Sequence, residues 1–465
     1  MEKYLRHYAE PETAALAGLL GELDELRRWS NVVVIPACNE SSGFLGPPPP
    51  SDRRSLLILV INEPISASRQ VSLSNQALAT TVQTRFTPHW QFVKQCSAAG
   101  PGFGLSLLRD PTAPRDVLLV DRFSEGHQIP LKGGVGQARK IGADLATSLI
   151  HHKHIQSHWI HCTDADVRLP QTYFSCSNSL QRSLQTSGGQ HAALIYPFRH
   201  SMGQDKAEND KLMLATKLYE LSLRYYVAGL RFARSPYAFH TIGSTMAVSA
   251  DHYAQVRGFP RRAAGEDFYL LNKLAKVGSV LELGLEQDCQ PIKIEARRSD
   301  RVPFGTGAAV TRISEMTDPV QGFRCYHPVV FESLKLWLQS LPAIWQLQSV
   351  ELTSRIFPDK SIGPQVSNHD VFDQRQALLD GLRKANTEQA LDHAFRQSKN
   401  LDQFTRQMHT WFDAFRTLNL IHHLRDNHLP SIGYPMLESN RVFLRLLEKD
   451  KDLSALHNHI QLDCL

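Results

Sequence analysis

Short apolar runs that each break off in polar or acidic residues constrain this chain more than any other feature. Asn31-Val32-Val33-Val34-Ile35-Pro36 is followed by Ala37-Cys38-Asn39-Glu40, residues 56–61 by Asn62-Glu63-Pro64, and residues 116–120 by Asp121. His158-Trp159-Ile160-His161-Cys162-Thr163 runs into Asp164-Ala165-Asp166. Non-alternating runs of this length, rich in β-branched residues, read as strands buried on both faces. Helical spacing lies between them. Residues 73–90 read as mainly helical, and residues 133–149 place Val135, Ala138, Ile141, Gly142, Leu145 and Leu149 on one stripe. Further strands are expected over 192–196 and 246–248. The pattern predicts an α/β fold with a doubly wound, mostly parallel sheet. Ligands of such sheets gather beyond the carboxyl ends of the strands, where all the polar tails would meet.

Bulk properties narrow the function classes. With 465 residues the chain can bury a large core, and 51 Lys plus Arg against 46 Asp plus Glu leave a net charge of +5, too small to imply nucleic acid. The longest wholly apolar run, 56–61, falls far short of the roughly 20 residues that span a bilayer, and the N-terminus lacks the order of a secretory signal. A cytoplasmic location is the expectation. The seven cysteines are odd in number, scattered and never spaced Cys-x-x-Cys, which predicts reduced thiols. Residues 1–29 read as a helical appendage on the outside (Leu16, Leu19, Leu20, Leu23, Leu26), and residues 43–51, with four consecutive prolines, as an exposed extended loop. From about 326 to 465 only helical spacing remains.

The candidate chemistry lies in the polar tails and two later stretches. In an extended segment residues i and i+2 point the same way, so Asp164 and Asp166 could offer hard oxygen ligands to one divalent cation; a turn after a strand also favours Asp. Arg139 and Lys140 lie near the head of a helix, where amide donors and charge suit a diphosphate, or they are solvated cations on a polar face. Gly134-Val135-Gly136 lacks the third glycine of a dinucleotide loop. Glu266-Asp267 opens a helix carrying Phe268, Leu271 and Leu274, where acidic residues also serve the helix dipole. Gly243 and Ser244 would let backbone approach a ligand closely, and 301–307 is a glycine-containing loop or a plain turn.

Taken in order, Val33-Val34-Ile35-Pro36-Ala37-Cys38-Asn39-Glu40, Gly136-Gln137-Ala138-Arg139-Lys140-Ile141-Gly142, Thr163-Asp164-Ala165-Asp166 and Gly265-Glu266-Asp267 resemble the motifs of family-2 glycosyltransferases of the GT-A fold. The resemblance covers about 30–310, with 30–325 as the implied GT-A domain. It implies transfer of a sugar from a nucleotide-diphosphate donor to a hydroxyl acceptor, with inversion. Pro36, Ala37, Asn39, Glu40 and Asn62 would line the nucleotide site, Arg139 would face the diphosphate, and Asp164 would contact the ribose or the metal. Asp164 and Asp166 would form the D-x-D element for Mg²⁺ or Mn²⁺, with His327 a candidate further ligand. Asp267 would be the general base and Glu266 would orient it or the acceptor. Cys38 stands where the family carries an aromatic residue, Asn62-Glu63 where it carries acidic ones, and the proline-rich segment where it carries a helix. Two other readings compete: a sugar nucleotidyltransferase, which would want basic residues in 36–51 where there are none, and a non-catalytic scaffold of the same fold.

Overall fold

The computed structural model describes residues 1–22, 29–50, 54–98, 100–187, 191–202, 209–284, 288–297, 305–353, 356–357 and 373–463. The first elements are α1 (Glu2–His7), α2 (Glu12–Glu22), β1 (Val32–Ala37), β2 (Ser55–Asn62), α3 (Arg69–Arg85), β3 (Thr87–Lys94) and β4 (Phe103–Arg109). Then come β5 (Arg115–Arg122), α4 (Gly134–His151), β6 (Trp159–Cys162), β7 (Val167–Arg168), α5 (Tyr173–Ser187), β8 (His191–Ile195) and β9 (Phe198–Met202). After α6 (Asn209–Phe232) follow β10 (Met246–Ser249), α7 (Ala250–Gln255), α8 (Glu266–Leu274), β11 (Ser279–Glu282) and β12 (Ile292–Ala296). The remainder is α9 (Thr306–Ser314), α10 (Pro319–Gly322), β13 (Arg324–Cys325), α11 (Val329–Leu347), α12 (Gln374–Lys384) and α13 (Thr387–Gln397). It closes with α14 (Leu401–Trp411), α15 (Ala414–Asn427), β14 (Ile432–Gly433), α16 (Tyr434–Glu438), α17 (Arg441–Lys449) and α18 (Lys451–Asp463). No helix among the described residues is long and apolar enough to cross a membrane.

Contacts divide these elements into two compact units: α1 to β9 together with β10 to β12 form one, and α6 with α9 to α18 form the other. The first is built on a nine-stranded mixed sheet of order β11-β8-β10-β6-β1-β2-β5-β4-β3. Only β4 and β10 run against the rest. Alternation along β1 and β2 sends side chains to both faces. A methyl group added at Gly142 of α4 would stand 2.3 Å from Val34 Cγ1 and 3.3 Å from Val60 Cγ2. The intervening Val33, Ile35, Leu57 and Leu59 instead join Leu78 and Val82 of α3 and Phe174 of α5. Helices therefore cover both faces, and the strands are continuously apolar because neither face meets water.

Several expectations are corrected here. The helix expected over 73–90 stops at Arg85, and β3 and β4 form an antiparallel hairpin at the sheet edge. Pro88 cannot donate within a helix, and Thr87, Trp90, Phe92 and Val93 suit a strand. Of the extended exposed loop expected over 43–51, the first part instead belongs to a short 3-10 turn, Ser42–Leu45, with Leu45 buried; 46–50 form no regular element, and Ser51 lies outside the described residues. The N-terminal helices are built into the first unit: Tyr4, Leu16 and Leu19 are buried, and Tyr4 Oη bonds Asp144 Oδ1 at 2.5 Å. Cys176 of α5 and Cys289, 113 residues apart, are joined as a disulfide with Cα atoms 5.7 Å apart, against the expectation of reduced thiols throughout. A partner so distant in sequence leaves no spacing pattern to read. Residues 301–304 of the glycine-containing loop lie outside the described residues.

The second unit is helical around one apolar core. Tyr225 of α6 packs edge-on against Phe331 of α11 (5.3 Å between ring centroids) and Phe443 of α17 (5.4 Å). Trp337, Phe404 and Leu424 continue that core into α11, α14 and α15.

Candidate functional site

The polar tails of β1 and β2 meet through one asparagine of α3. Asn75 Oδ1 accepts the Asn39 N–H at 2.9 Å, and its Nδ2 donates to Asn62 O and Glu63 Oε2, each at 3.2 Å. Asn62 in turn donates from Nδ2 to Ala37 O at 3.1 Å, and Ser72 Oγ donates to Glu63 Oε1 at 3.0 Å. Asn62 and Glu63 are buried, so this network spends their polar atoms on fixing the strand ends. Pro36 and Ala37 belong to β1, paired with Val60 and Ile61 of β2. Asn39 stands exposed with φ at 56°, a left-handed conformation uncommon outside glycine, and Glu40 is half-buried beside it. Asn75 carried no sequence signal beyond an amide within a helical stripe.

The second cluster centres on Arg139. This residue is buried on α4, and Lys140 is buried too. The reading of both as solvated cations is therefore excluded, and their two side chains go to different places. Lys140 Nζ donates to Asp144 Oδ2 at 2.9 Å and to Tyr4 Oη at 2.8 Å, in the network that Tyr253 Oη joins at 2.8 Å from Asp144 Oδ1. Arg139 instead bridges two carboxylates: Nη2 donates to Asp164 Oδ1 and Nη1 lies 3.0 Å from Glu266 Oε1. Asp164 follows β6, while Glu266 opens α8, so the bridge unites segments about a hundred residues apart. Asp267 lies alongside, accepting from the Phe268 N–H at 2.7 Å and from the Gly243 N–H.

Glycine 243 seats the whole arrangement. A Cβ at that position would stand 1.8 Å from Arg139 Nη1, so a larger residue would force the guanidinium out of its present place. The close approach expected of Gly243 is thus made to Arg139. The head of α4 is likewise covered. Gly136 N–H donates to Arg262 O at 3.0 Å, and added Cβ atoms at Gly134 and Gly136 would strike Ala263 Cα at 2.4 Å and Arg262 O at 2.5 Å. The Gly136 amide is therefore spent on the chain and is not offered to an anion, contrary to the expectation of a helix head open to a diphosphate.

The electrostatics follow from one cation among three acids. Burial opposes the charge of Arg139, but Asp164 and Glu266 outweigh it and hold the guanidinium charged. Burial pushes Glu266 up to about 7, against the pull of Arg139 and with the push of Asp267. Asp267 is raised as well, by burial first, with Arg139 and the Phe268 amide opposing. Cys162, buried at the end of β6, is pushed up to about 12 by burial and stays a neutral thiol.

Asp166 is half-buried beyond β6, and its carbonyl accepts the Glu295 N–H of β12 at 3.0 Å. Among the described residues no group of three or more His, Cys, Asp or Glu side chains is gathered in a way that could hold a metal. His327 belongs to the helical unit, where its Nδ1 accepts from the Val329 N–H at 3.3 Å at the head of α11. The oxygen donors of Asp164 and Asp166 fit Mg²⁺ or Mn²⁺ in kind, since such ions are commonly held by one or two carboxylates together with substrate phosphates. No protein-family model matches this chain, and no curated protein matches it.

Proposed function

We propose that the first unit transfers a sugar from a nucleotide-diphosphate donor to a hydroxyl acceptor. The observation that carries this reading is the bridge from Asp164 through Arg139 to Glu266, with Asp267 beside it. In this reading Asp267 takes the proton of the acceptor hydroxyl as its oxygen bonds to the anomeric carbon. The bond from that carbon to the donor phosphate breaks, and the nucleoside diphosphate leaves with the electron pair. Burial suits Asp267 to the task, because a carboxylate with raised proton affinity is the stronger base. Arg139 holds Asp164 and Glu266 in place and offsets their charge. Glu266 orients Asp267 and the acceptor.

Three carboxylates share one guanidinium here, so a diphosphate would meet a surplus of negative charge. A divalent ion held by Asp164 and Asp166 would offset that surplus and stabilise charge on the departing phosphate. Asn39 and Glu40, beyond the end of β1, are the nucleotide-side residues of the proposal, while the buried Pro36, Ala37 and Asn62 hold that strand end in place. Equilibrium dialysis of UDP, GDP and ADP with and without Mn²⁺ tests it. One nucleotide should bind in a Mn²⁺-dependent way, and Asp164→Ala should weaken it at least about tenfold, the equivalent of about 1.4 kcal/mol. Failure of all three to bind, or equal binding by the variant, would contradict the reading.

A further inference from the structure

The two most exposed large apolar side chains among the described residues sit on two paired segments of the first unit. Ile65 is 72% exposed and Leu131 65%. Their segments leave the carboxyl ends of β2 and β5 and are stitched together: the Ile65 N–H donates to Ile129 O at 3.2 Å, the Ile129 N–H donates to Glu63 O at 3.0 Å, and Pro64 forms a parallel bridge with Ile129. Ile129 itself is fully buried and anchors the pair. The head of α3 is tied to the same place, because Ser72 Oγ donates to Glu63 Oε1 at 3.0 Å. Next to Ser72, Leu73 is 56% exposed, and Arg69 lies one turn before it on the same stripe of α3. Lys132 follows Leu131, and both cations are exposed. Residues 64–73 and 128–133 contain these two cations and no acidic residue.

Single exposed aliphatic side chains are ordinary, but three on segments joined at one residue mark a contact surface. Its occupant follows from size and charge. Three projecting side chains are too few for a stable protein interface, which takes about 800 Å² from each partner. They suit a fluid bilayer, where apolar side chains enter past the headgroups while neighbouring cations meet lipid phosphates. We propose that Ile65, Leu73 and Leu131, flanked by Arg69 and Lys132, dock the first unit on the surface of an anionic bilayer. With no acid on either segment, nothing there repels the headgroups. Glu63 also accepts from Asn75, which holds the Asn39 N–H, so the docking segments share one hydrogen-bond network with the candidate site. Vesicle binding needs neither donor nor acceptor, so its outcome stands apart from the sugar-transfer reading.

Co-sedimentation of the full chain with phosphatidylcholine vesicles, with and without phosphatidylserine, tests the docking. Wild type should be retained by the vesicles that contain phosphatidylserine and pass largely into the supernatant of those that lack it. Ile65→Ser with Leu131→Ser should weaken retention at least about tenfold, and Arg69→Gln with Lys132→Gln at least about fivefold. All four positions are exposed, so melting temperatures should stay those of wild type. In Leu131→Trp the indole emission should move to the blue when the anionic vesicles are added, as the ring leaves water. Wild type left in the supernatant of the anionic vesicles, or both paired variants retained like wild type, would overturn the proposal. So would a wild-type dimer in sedimentation velocity that Ile65→Ser with Leu131→Ser converts to monomer without changing vesicle retention, because a second copy would then occupy the surface.

Discussion

Arg139 is a charge fixed where water does not reach, and its partners were legible only in part. Its type and place near the head of a helix marked it as a candidate, as Asp164, Glu266 and Asp267 were marked by theirs. Nothing in the sequence states that a guanidinium lies between two of these acids, because that contact joins distant segments. Removing it should be costly. Arg139→Met leaves Glu266 buried without its counter-charge, and should lower unfolding free energy in urea by about 3 to 5 kcal/mol. A loss below about 1 kcal/mol would show that the bridge contributes little. The same site sets a pH dependence. Glu266 is pushed up to about 7 when folded, against an ordinary value of 4.5. Between those values the folded state keeps a proton that the unfolded state gives up, so this contribution is full below about 4.5 and fades as pH rises through 7. Glu12, buried 3.4 Å from Arg122 and raised by burial to about 7, acts in the same direction. Replacing both by Gln should flatten the decline of stability between pH 5 and 7, measured by urea unfolding; an unchanged slope would contradict the assignment.

At the level of elements, α4 shows where pattern reading stops. Its apolar stripe was plain, and so were β1, β2, β5 and β6, whose apolar runs match the observed strands to within two residues. Its other face, where Arg139 and Lys140 could read as solvated cations, also carries Gln137, Asp144 and Ser148, and all five are buried. The reason is tertiary: Tyr4 of α1 and Tyr253 of α7 supply hydrogen bonds that make the burial tolerable. Tyr4→Phe should therefore cost about 1 to 3 kcal/mol by leaving Asp144 short of a donor, which urea unfolding would register. Gly243→Ala tests the seat of Arg139. Its added methyl would collide with the guanidinium, and donor turnover should fall at least tenfold while far-ultraviolet dichroism stays that of wild type. Unchanged turnover would show that the seat is not needed. The hairpin of β3 and β4 was missed because a helical pattern runs directly into it, with Pro88 as the local sign of the change.

The whole molecule was the least legible scale. Helical spacing past residue 326 announced helices there, but not that α6, which lies between strands in sequence, belongs with them. That division rests on packing between segments far apart, which local pattern does not encode. The disulfide between Cys176 and Cys289 is of the same kind. Thiol titration of the denatured protein should find two fewer thiols before reduction than after it; equal counts would place both residues in the reduced state. The central claim is sugar transfer at the Arg139 cluster, and the most direct measurement is release of nucleoside diphosphate from a panel of UDP-, GDP- and ADP-sugars with Mn²⁺, in wild type and Asp267→Asn. The account predicts release from at least one donor by wild type and a loss of about a hundredfold or more in the variant, the scale of a missing general base. Silence of wild type across the panel, pyrophosphate as the product, or equal rates from the two proteins would contradict it.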